Sequence, residues 1–121
     1  MTVRSLVIKV VAGKDDPERC GQALNVAAAA IASGVGVSLW LAGEAAWFAL
    51  PGRAGDVTLE HSPPLQDLLA SVLAEGTVSL CTQCAARRGI TADDVMTGVR
   101  MAGAATFVSE VTTDGAQALI Y

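Results

Sequence analysis

The sequence predicts an α/β domain built around a five-stranded, mostly parallel sheet with helices on both faces. Short runs rich in β-branched residues alternate along the chain with segments that repeat apolar residues at helical spacing. The connections between these segments are short, and no internal repeat, low-complexity tract or linker divides the chain. At 121 residues, a single domain spanning residues 1–121 is expected, and it is large enough to bury a sizeable core.

The first part of the chain is predicted to form a strand, a helix and a second strand. Residues 6–11 are rich in β-branched side chains, as buried strands are. The helix is expected to begin after Asp16, whose carboxylate can cap it ahead of a proline, and to run to Gly34. Residues 35–41 form the second strand, so the unit is a parallel, right-handed βαβ crossover.

A short helix, an irregular loop and a longer helix are expected next. The short helix covers residues 43–50 and stops before a Pro-Gly pair. The stretch 51–64 has no clear period and several glycines and prolines, so it is predicted to be the most mobile loop; it contains His61. Leucines and valines at helical spacing then predict a helix over residues 65–73.

The last part of the chain is predicted to add three strands to the sheet. Residues 77–80 form the third strand and deliver the chain to Cys81. Residues 98–102 and 116–121 form the fourth and fifth strands, joined by a helix over residues 104–113. Ligands of such sheets bind beyond the carboxyl ends of the strands, so Cys81 falls at the edge where a site is expected.

Composition and charge exclude several classes of protein. Eight basic against twelve acidic residues give a formal net charge of −4, and no basic cluster is longer than Arg87-Arg88. Neither nucleic acid nor an anionic membrane surface is therefore an expected partner. Three cysteines do not make a secreted disulfide framework, and the N-terminal apolar run is too short for a signal core or a membrane span, which favours the cytoplasm. Only 17% of the residues are charged, which also predicts a homo-oligomer.

Two cysteines three residues apart are the strongest indication of chemistry. Cys81 stands where the third strand gives way to a helix, and Cys84 follows one turn later. A thiol reacts as the thiolate, which is stabilised by the free N–H groups of a helix start and by nearby cations. Arg87 and Arg88 supply two cations, of which one is expected to point inward and the other outward. These cations either bind an anionic sulfur donor or form exposed ion pairs. The alternative for both cysteines is that of small buried apolar residues.

Few other side chains suit a reactive site. His61 is the sole histidine, and it either transfers a proton to or from the attacking sulfur or is a solvated loop residue. A metal site is a weaker alternative, because one C-x-x-C supplies only two of the four ligands that zinc prefers. Cys20, the other cysteine, falls on the apolar face of the first helix. No metal or other cofactor is therefore expected.

The motif Cys81-x-x-Cys84-x-x-Arg87-Arg88-Gly89-Ile90 resembles that of the DsrE/DsrF-like family. The order of elements and the closing stretch 98–103 extend this resemblance over almost the whole chain. It implies a strand-end cysteine that carries sulfur as a persulfide, in relays serving sulfur oxidation or tRNA thiolation. It also implies a trimer or hexamer of identical or related subunits. Some members have a single cysteine in register with Cys81 and others have the C-x-x-C, so the resemblance leaves open which sulfur leads.

Three hypotheses of function follow. In the first, Cys81 accepts sulfur from a donor protein and passes it to an acceptor protein, with Cys84 as resolving or tuning partner and the His61 loop shielding the site. Such a carrier transfers a group and need not turn over as an enzyme. In the second, Cys81 and Cys84 form a redox-active disulfide, although no Trp or Pro adjoins the pair as in thioredoxin-like motifs. In the third, the cysteines are inert and the chain is an oligomeric scaffold or small-ligand binder.

Overall fold

Five strands form one sheet in the computed structural model, which describes residues 4–121. The strands are β1 (Ser5–Val10), β2 (Gly36–Leu41), β3 (Thr77–Cys81), β4 (Val99–Ala102) and β5 (Ala116–Ile120). They lie in the order β4-β3-β2-β1-β5, and every neighbouring pair is parallel. The predicted fold class is confirmed, and the sheet is fully parallel. The carboxyl ends of all five strands therefore lie at one edge.

Helices cover both faces of this sheet. They are α1 (Pro17–Ala32), α2 (Leu65–Glu75), α3 (Thr82–Arg87) and α4 (Ala104–Val111), with two 3₁₀ helices at Gly43–Ala49 and Arg53–Asp56. Asp16 caps α1 as predicted, because its carboxylate accepts the backbone N–H of Arg19. Within the described residues, no helix is both long and apolar enough to cross a membrane.

The two faces of the sheet differ in chemistry. On one face Ile8, Leu39 and Leu80 are fully buried and join a single apolar core with side chains of α1 and α2. Because side chains alternate along a strand, the intervening residues form a row on the opposite face. That row runs across the paired positions Ile120, Lys9, Trp40, Ser79 and Arg100.

A polar network holds α4 to this second face. The Glu110 carboxylate accepts hydrogen bonds from the Ser38 hydroxyl (2.5 Å), the Trp40 indole N–H (3.0 Å) and the Arg100 guanidinium (2.5 Å). Arg100 also donates to the buried Ser79 hydroxyl at 2.7 and 2.9 Å. Every polar side chain in this patch is thereby satisfied, which is what makes its burial tolerable.

Aromatic contacts complete the docking of α4. The Phe107 ring meets the Trp40 ring edge-on with centroids 5.4 Å apart, and the Lys9 ammonium lies 4.1 Å from the Phe107 centroid. No residue of α4 is fully buried, and Val108 is 55% exposed. The outer side of this helix is therefore apolar and open.

The stretch 51–64, predicted to be a mobile loop, contains a 3₁₀ helix and packs against α1. The 3₁₀ helix at Arg53–Asp56 buries Ala54, and Val57 is buried just after this helix. Leu59 packs over Gly21 of α1, so closely that a Cβ at Gly21 would lie 2.4 Å from a Leu59 methyl. A small residue on α1 makes room for this segment, which glycine and proline content alone does not indicate. The mobility of the segment stays a prediction. The short helix after β2 also forms a 3₁₀ helix.

The network around Glu110 predicts a pH-dependent contribution to stability. Burial raises the pKa of Glu110, but hydrogen bonds from Ser38, Arg100 and Trp40 outweigh it, so the pKa lies below its ordinary value of 4.5. A lowered pKa means that this stabilisation is fully present above the ordinary value and is lost as the pH falls through the lowered one. We expect Glu110→Gln to reduce the free energy of unfolding by about 1 to 2 kcal/mol at pH 7, and by progressively less in acid.

Urea unfolding of the wild type and Glu110→Gln between pH 7 and about pH 3 measures this difference. Glu75→Gln, which changes an exposed carboxylate, is the matched control. An unfolding difference for Glu110→Gln that stays constant down to acid pH would contradict the assignment.

Candidate functional site

The transition from β3 to α3 places Cys81 at the carboxyl edge of the sheet. Cys81 is the last residue of β3 and the N-cap of α3, with extended backbone angles (φ −62°, ψ 120°). The preceding residues of β3, from Val78 to Leu80, are buried, so the strand fixes the position of Cys81 firmly. Its side chain is half-buried and reaches the surface beside the first turn of α3.

The sulfur of Cys81 lies in surroundings that favour a thiolate. Burial raises the pKa of Cys81, but the backbone N–H groups of Cys84 and Gln83, the thiol of Cys84 and the charge of Lys9 outweigh it and leave the pKa below its ordinary value. The side chain makes no full capping hydrogen bond. The N–H groups therefore act mainly as dipoles directed at a large, polarisable anion.

Cys84 has a different environment from Cys81. It is 8% exposed, and its sulfur accepts the backbone N–H of Gly43 at 3.2 Å. The thiol and the backbone N–H of Cys84 both favour the thiolate of Cys81 and so lower the pKa of that residue. Cys81 is the N-cap of α3 and Cys84 is its N3 residue, so the first turn of this helix carries both thiols.

Arg88 ties this thiol pair to the first 3₁₀ helix. Its guanidinium donates to one carboxylate oxygen of Glu44 at 2.8 and 3.0 Å and to the backbone carbonyl of Cys84 at 3.2 Å. Arg88 is turned inward, with a side chain 19% exposed, whereas Arg87 is exposed. The Arg88 guanidinium is engaged with Glu44 and Arg87 is exposed, so Arg87 is the more accessible of the two for an anionic donor. The donor-binding role of both arginines stays a prediction.

Two groups at the site were missed by sequence reasoning. Lys9 has no role in the sequence-based prediction of the site, yet it lies on the same face of the sheet as Cys81 and its charge acts on that sulfur. Strand alternation could have indicated this face. Gly103, the N-cap of α4, packs beside Thr82, since a Cβ at Gly103 would lie 3.3 Å from the Thr82 hydroxyl. The start of α4 thus adjoins the start of α3.

His61 lies against α1. It is exposed, has a left-handed backbone (φ 58°) and lines a cleft against α1 with Gly21, Asn25 and other residues. The described residues that line this cleft include neither Cys81 nor Cys84. The structure gives no support to the expectation that the His61 loop shields the sulfur, because Leu59 docks the loop onto α1 instead.

The remaining candidates have structural roles. Cys20 is fully buried in the core, and burial together with the charges of Asp15 and Asp16 raises its pKa to about 12. Its assignment to the apolar face of α1 is confirmed. Among residues 4–121, no group of three or more His, Cys, Asp or Glu side chains is arranged to hold a metal ion.

Comparison with known proteins adds a family and two solved structures. The model of the DsrE/DsrF-like family matches residues 5–119. The crystal structure of the ychN protein from E. coli superposes with a TM-score of 0.78 at 21% identity, covering 98% of this chain and 99% of that chain. The structure of the protein of unknown function MTH1491 from Methanobacterium thermoautotrophicum superposes with a TM-score of 0.71 at 13% identity, covering 98% of this chain and 99% of that chain. At these identities the two structures show a shared fold. No curated protein matches the sequence.

The contrast between the three thiols predicts their order of alkylation. We expect iodoacetamide to modify Cys81 before Cys84 and Cys20, at a pH below that at which an ordinary thiol of pKa about 8.5 reacts. Lys9→Gln should move the midpoint for Cys81 to higher pH, since it removes a cation that favours the thiolate. Lys14→Gln, at an exposed lysine, should leave the midpoint unchanged.

Peptide mass analysis over a pH series follows each cysteine separately. Faster modification of Cys84, or equal midpoints for the wild type and Lys9→Gln, would contradict this description of the site.

Proposed function

Because the chain belongs to the DsrE/DsrF-like family, which is associated with sulfur relay, we propose that it accepts persulfide sulfur on Cys81 and passes it to another protein. The observation that supports this proposal most directly is the environment of the Cys81 sulfur. It is half-buried at a strand end, and the N–H groups that begin α3, together with the thiol of Cys84, lower the pKa of Cys81. A persulfide is an anion at neutral pH, so the groups that stabilise the thiolate also stabilise the loaded form.

The transfer step involves one bond made and one bond broken. The Cys81 thiolate attacks the outer sulfur of a donor persulfide, a new sulfur–sulfur bond forms, and the donor leaves as a thiolate. An acceptor thiolate then takes the same outer sulfur and restores the Cys81 thiolate. Neither step changes the overall oxidation state or requires a cofactor. The chain thus acts as a carrier between a sulfur-donor protein and a sulfur-acceptor protein.

Oligomer formation and a cytoplasmic location belong to the same proposal. Val11, Val108 and Ile120 are large apolar side chains exposed by 42%, 55% and 66%. Val108 lies on the open side of α4 and Ile120 on the edge strand β5, which are surfaces that a further copy of the chain could cover. We propose a homo-oligomer, a trimer or a hexamer. A reducing cytoplasm would keep the three free cysteines in their thiol form.

A thiol–disulfide redox function is the alternative that one observation favours. Cys81 and Cys84 occupy the N-cap and N3 positions of the same helix, so the two thiols belong to one helical turn. The two functions leave different masses on the protein. A carrier gains one sulfur atom, whereas a redox pair loses two hydrogen atoms.

Intact-mass analysis after incubation with a persulfide donor tests the carrier proposal. We expect the wild type and Cys84→Ser to gain one sulfur atom that a reductant removes, and Cys81→Ser to gain none. Cys20→Ser is the matched control and should load like the wild type, because Cys20 is fully buried. Loading that survives Cys81→Ser, or loss of two hydrogens in place of loading, would contradict the proposal.

Sedimentation velocity tests the oligomer. We expect Val108→Asp to shift the wild-type trimer or hexamer toward monomer, because it places a charge on an exposed apolar surface. The side chain is mostly exposed within one subunit, so the variant should remain folded. Gln22→Asp, at an exposed position on α1, should leave the assembly intact. A monomeric wild type would contradict the proposed assembly.

A further inference from the structure

We infer that Arg88 and Glu44 are positioning residues that hold Cys84 beside Cys81 as a supporting thiol and prevent it from attacking a persulfide on Cys81. The inference rests on the proposed function, since it concerns the lifetime of the loaded carrier. It assigns Arg88 a role in orienting a thiol, which is distinct from the donor-binding role that the sequence suggested.

One guanidinium joins the two sides of the contact that orients Cys84. Arg88 donates to the carbonyl of Cys84 at 3.2 Å and to the carboxylate of Glu44 at 2.8 and 3.0 Å. Gly43 directly precedes Glu44, and the backbone N–H of Gly43 donates to the Cys84 sulfur at 3.2 Å. The backbone of Cys84 and the turn that carries the N–H donor are therefore fixed relative to each other by a single side chain.

The other side of this turn is fixed by close backbone packing. The N–H of Glu44 donates to the carbonyl of Val11 at 3.1 Å, just after β1. Gly43 has a left-handed backbone (φ 51°), and a Cβ there would lie 2.6 Å from the Val11 carbonyl oxygen. A Cβ at Gly13 would likewise lie 2.6 Å from the Glu44 carbonyl oxygen. The N–H of Gly43 can thus move little toward β1, and the ion pair limits its movement away from α3.

The reaction that this arrangement opposes needs no external oxidant. The Cys84 sulfur would attack the inner sulfur of the Cys81 persulfide and form a Cys81–Cys84 disulfide. The outer sulfur would leave with the Cys84 proton as hydrogen sulfide, so that atoms and electrons balance. The attack requires a lone pair of Cys84 aligned with the sulfur–sulfur bond. The N–H of Gly43 occupies a lone pair of that sulfur, and the burial of Cys84 leaves its side chain little room to turn toward that bond.

The ion pair can be removed without unfolding the protein. The Glu44 side chain is 44% exposed, so its truncation changes a surface position, and Arg88 keeps its hydrogen bond to the Cys84 carbonyl. Glu44→Ala removes the acceptor for the guanidinium. Glu44→Gln keeps one acceptor oxygen in place and should behave nearly like the wild type. Arg19→Gln breaks the exposed pair with Asp16 and is the matched control.

The experiment loads each variant with a small-molecule persulfide donor, removes the excess and follows the intact mass and the free hydrogen sulfide. We expect Glu44→Ala to lose its sulfur and form the disulfide about tenfold faster than the wild type. Glu44→Gln and Arg19→Gln should stay within about twofold of it. The double variant Glu44→Ala/Cys84→Ser should form no disulfide. Equal rates of disulfide formation for the wild type and Glu44→Ala would overturn the inference.

A second arm uses glutathione disulfide and does not depend on persulfide loading. The Cys81 thiolate forms a mixed disulfide and releases one glutathione thiol, and attack by Cys84 then releases the second. Faster release of the second glutathione in Glu44→Ala than in the wild type supports the inference. If the wild type also takes up no sulfur from the persulfide donor, only the proposed function is contradicted. Absence of a Cys81–Cys84 disulfide from Glu44→Ala in both arms would overturn the inference.

Discussion

The electrostatic interaction between the Cys81 sulfur and the N–H groups that begin α3 is the feature on which the rest of the site depends. A parallel sheet brings the carboxyl ends of its strands to one edge, and helices that follow those strands begin there with free N–H groups. Cys81 occupies the one position that ends β3 and also caps α3. Strand pairing fixes its backbone, while the helix start supplies a positive field that favours an anion.

The two cysteines of the motif are similar in sequence but differ in environment. Cys81 is half-buried and has a lowered pKa, whereas Cys84 is buried and accepts the N–H of Gly43. The difference arises from helix geometry, because the N-cap position projects beyond the helix and the N3 position turns back toward it. A resemblance to members with one or two cysteines leaves open which sulfur leads. The contacts favour Cys81 as the acceptor and Cys84 as its support.

Local patterns were sufficient to predict the fold and the position of Cys81. Alternation of β-branched runs with helical apolar stripes predicted all five strands, with end points within one or two residues of those in the structure. The partners of the site were not predictable in this way, since Gly43 and Glu44 follow a different strand and approach α3 only in the folded chain. The Arg100–Glu110 pair, which anchors α4, also joins two separate elements.

The position of the His61 loop likewise depends on a contact between separate elements. A sole histidine in an irregular loop suggests proton transfer when only its chemistry is considered. The direction of the loop is decided by packing between Leu59 and Gly21, which no local pattern reveals. The loop therefore lies along α1, and the site is formed by the N–H groups, the second thiol and Lys9.

A crystal structure of the protein after treatment with a persulfide donor would test most directly whether Cys81 is the sulfur acceptor. The account predicts one additional sulfur atom on Cys81, directed at the N–H groups of Gln83 and Cys84, with the contact between Gly43 and Cys84 retained. Additional sulfur on Cys84, or a disulfide between the two cysteines in the treated wild type, would contradict it.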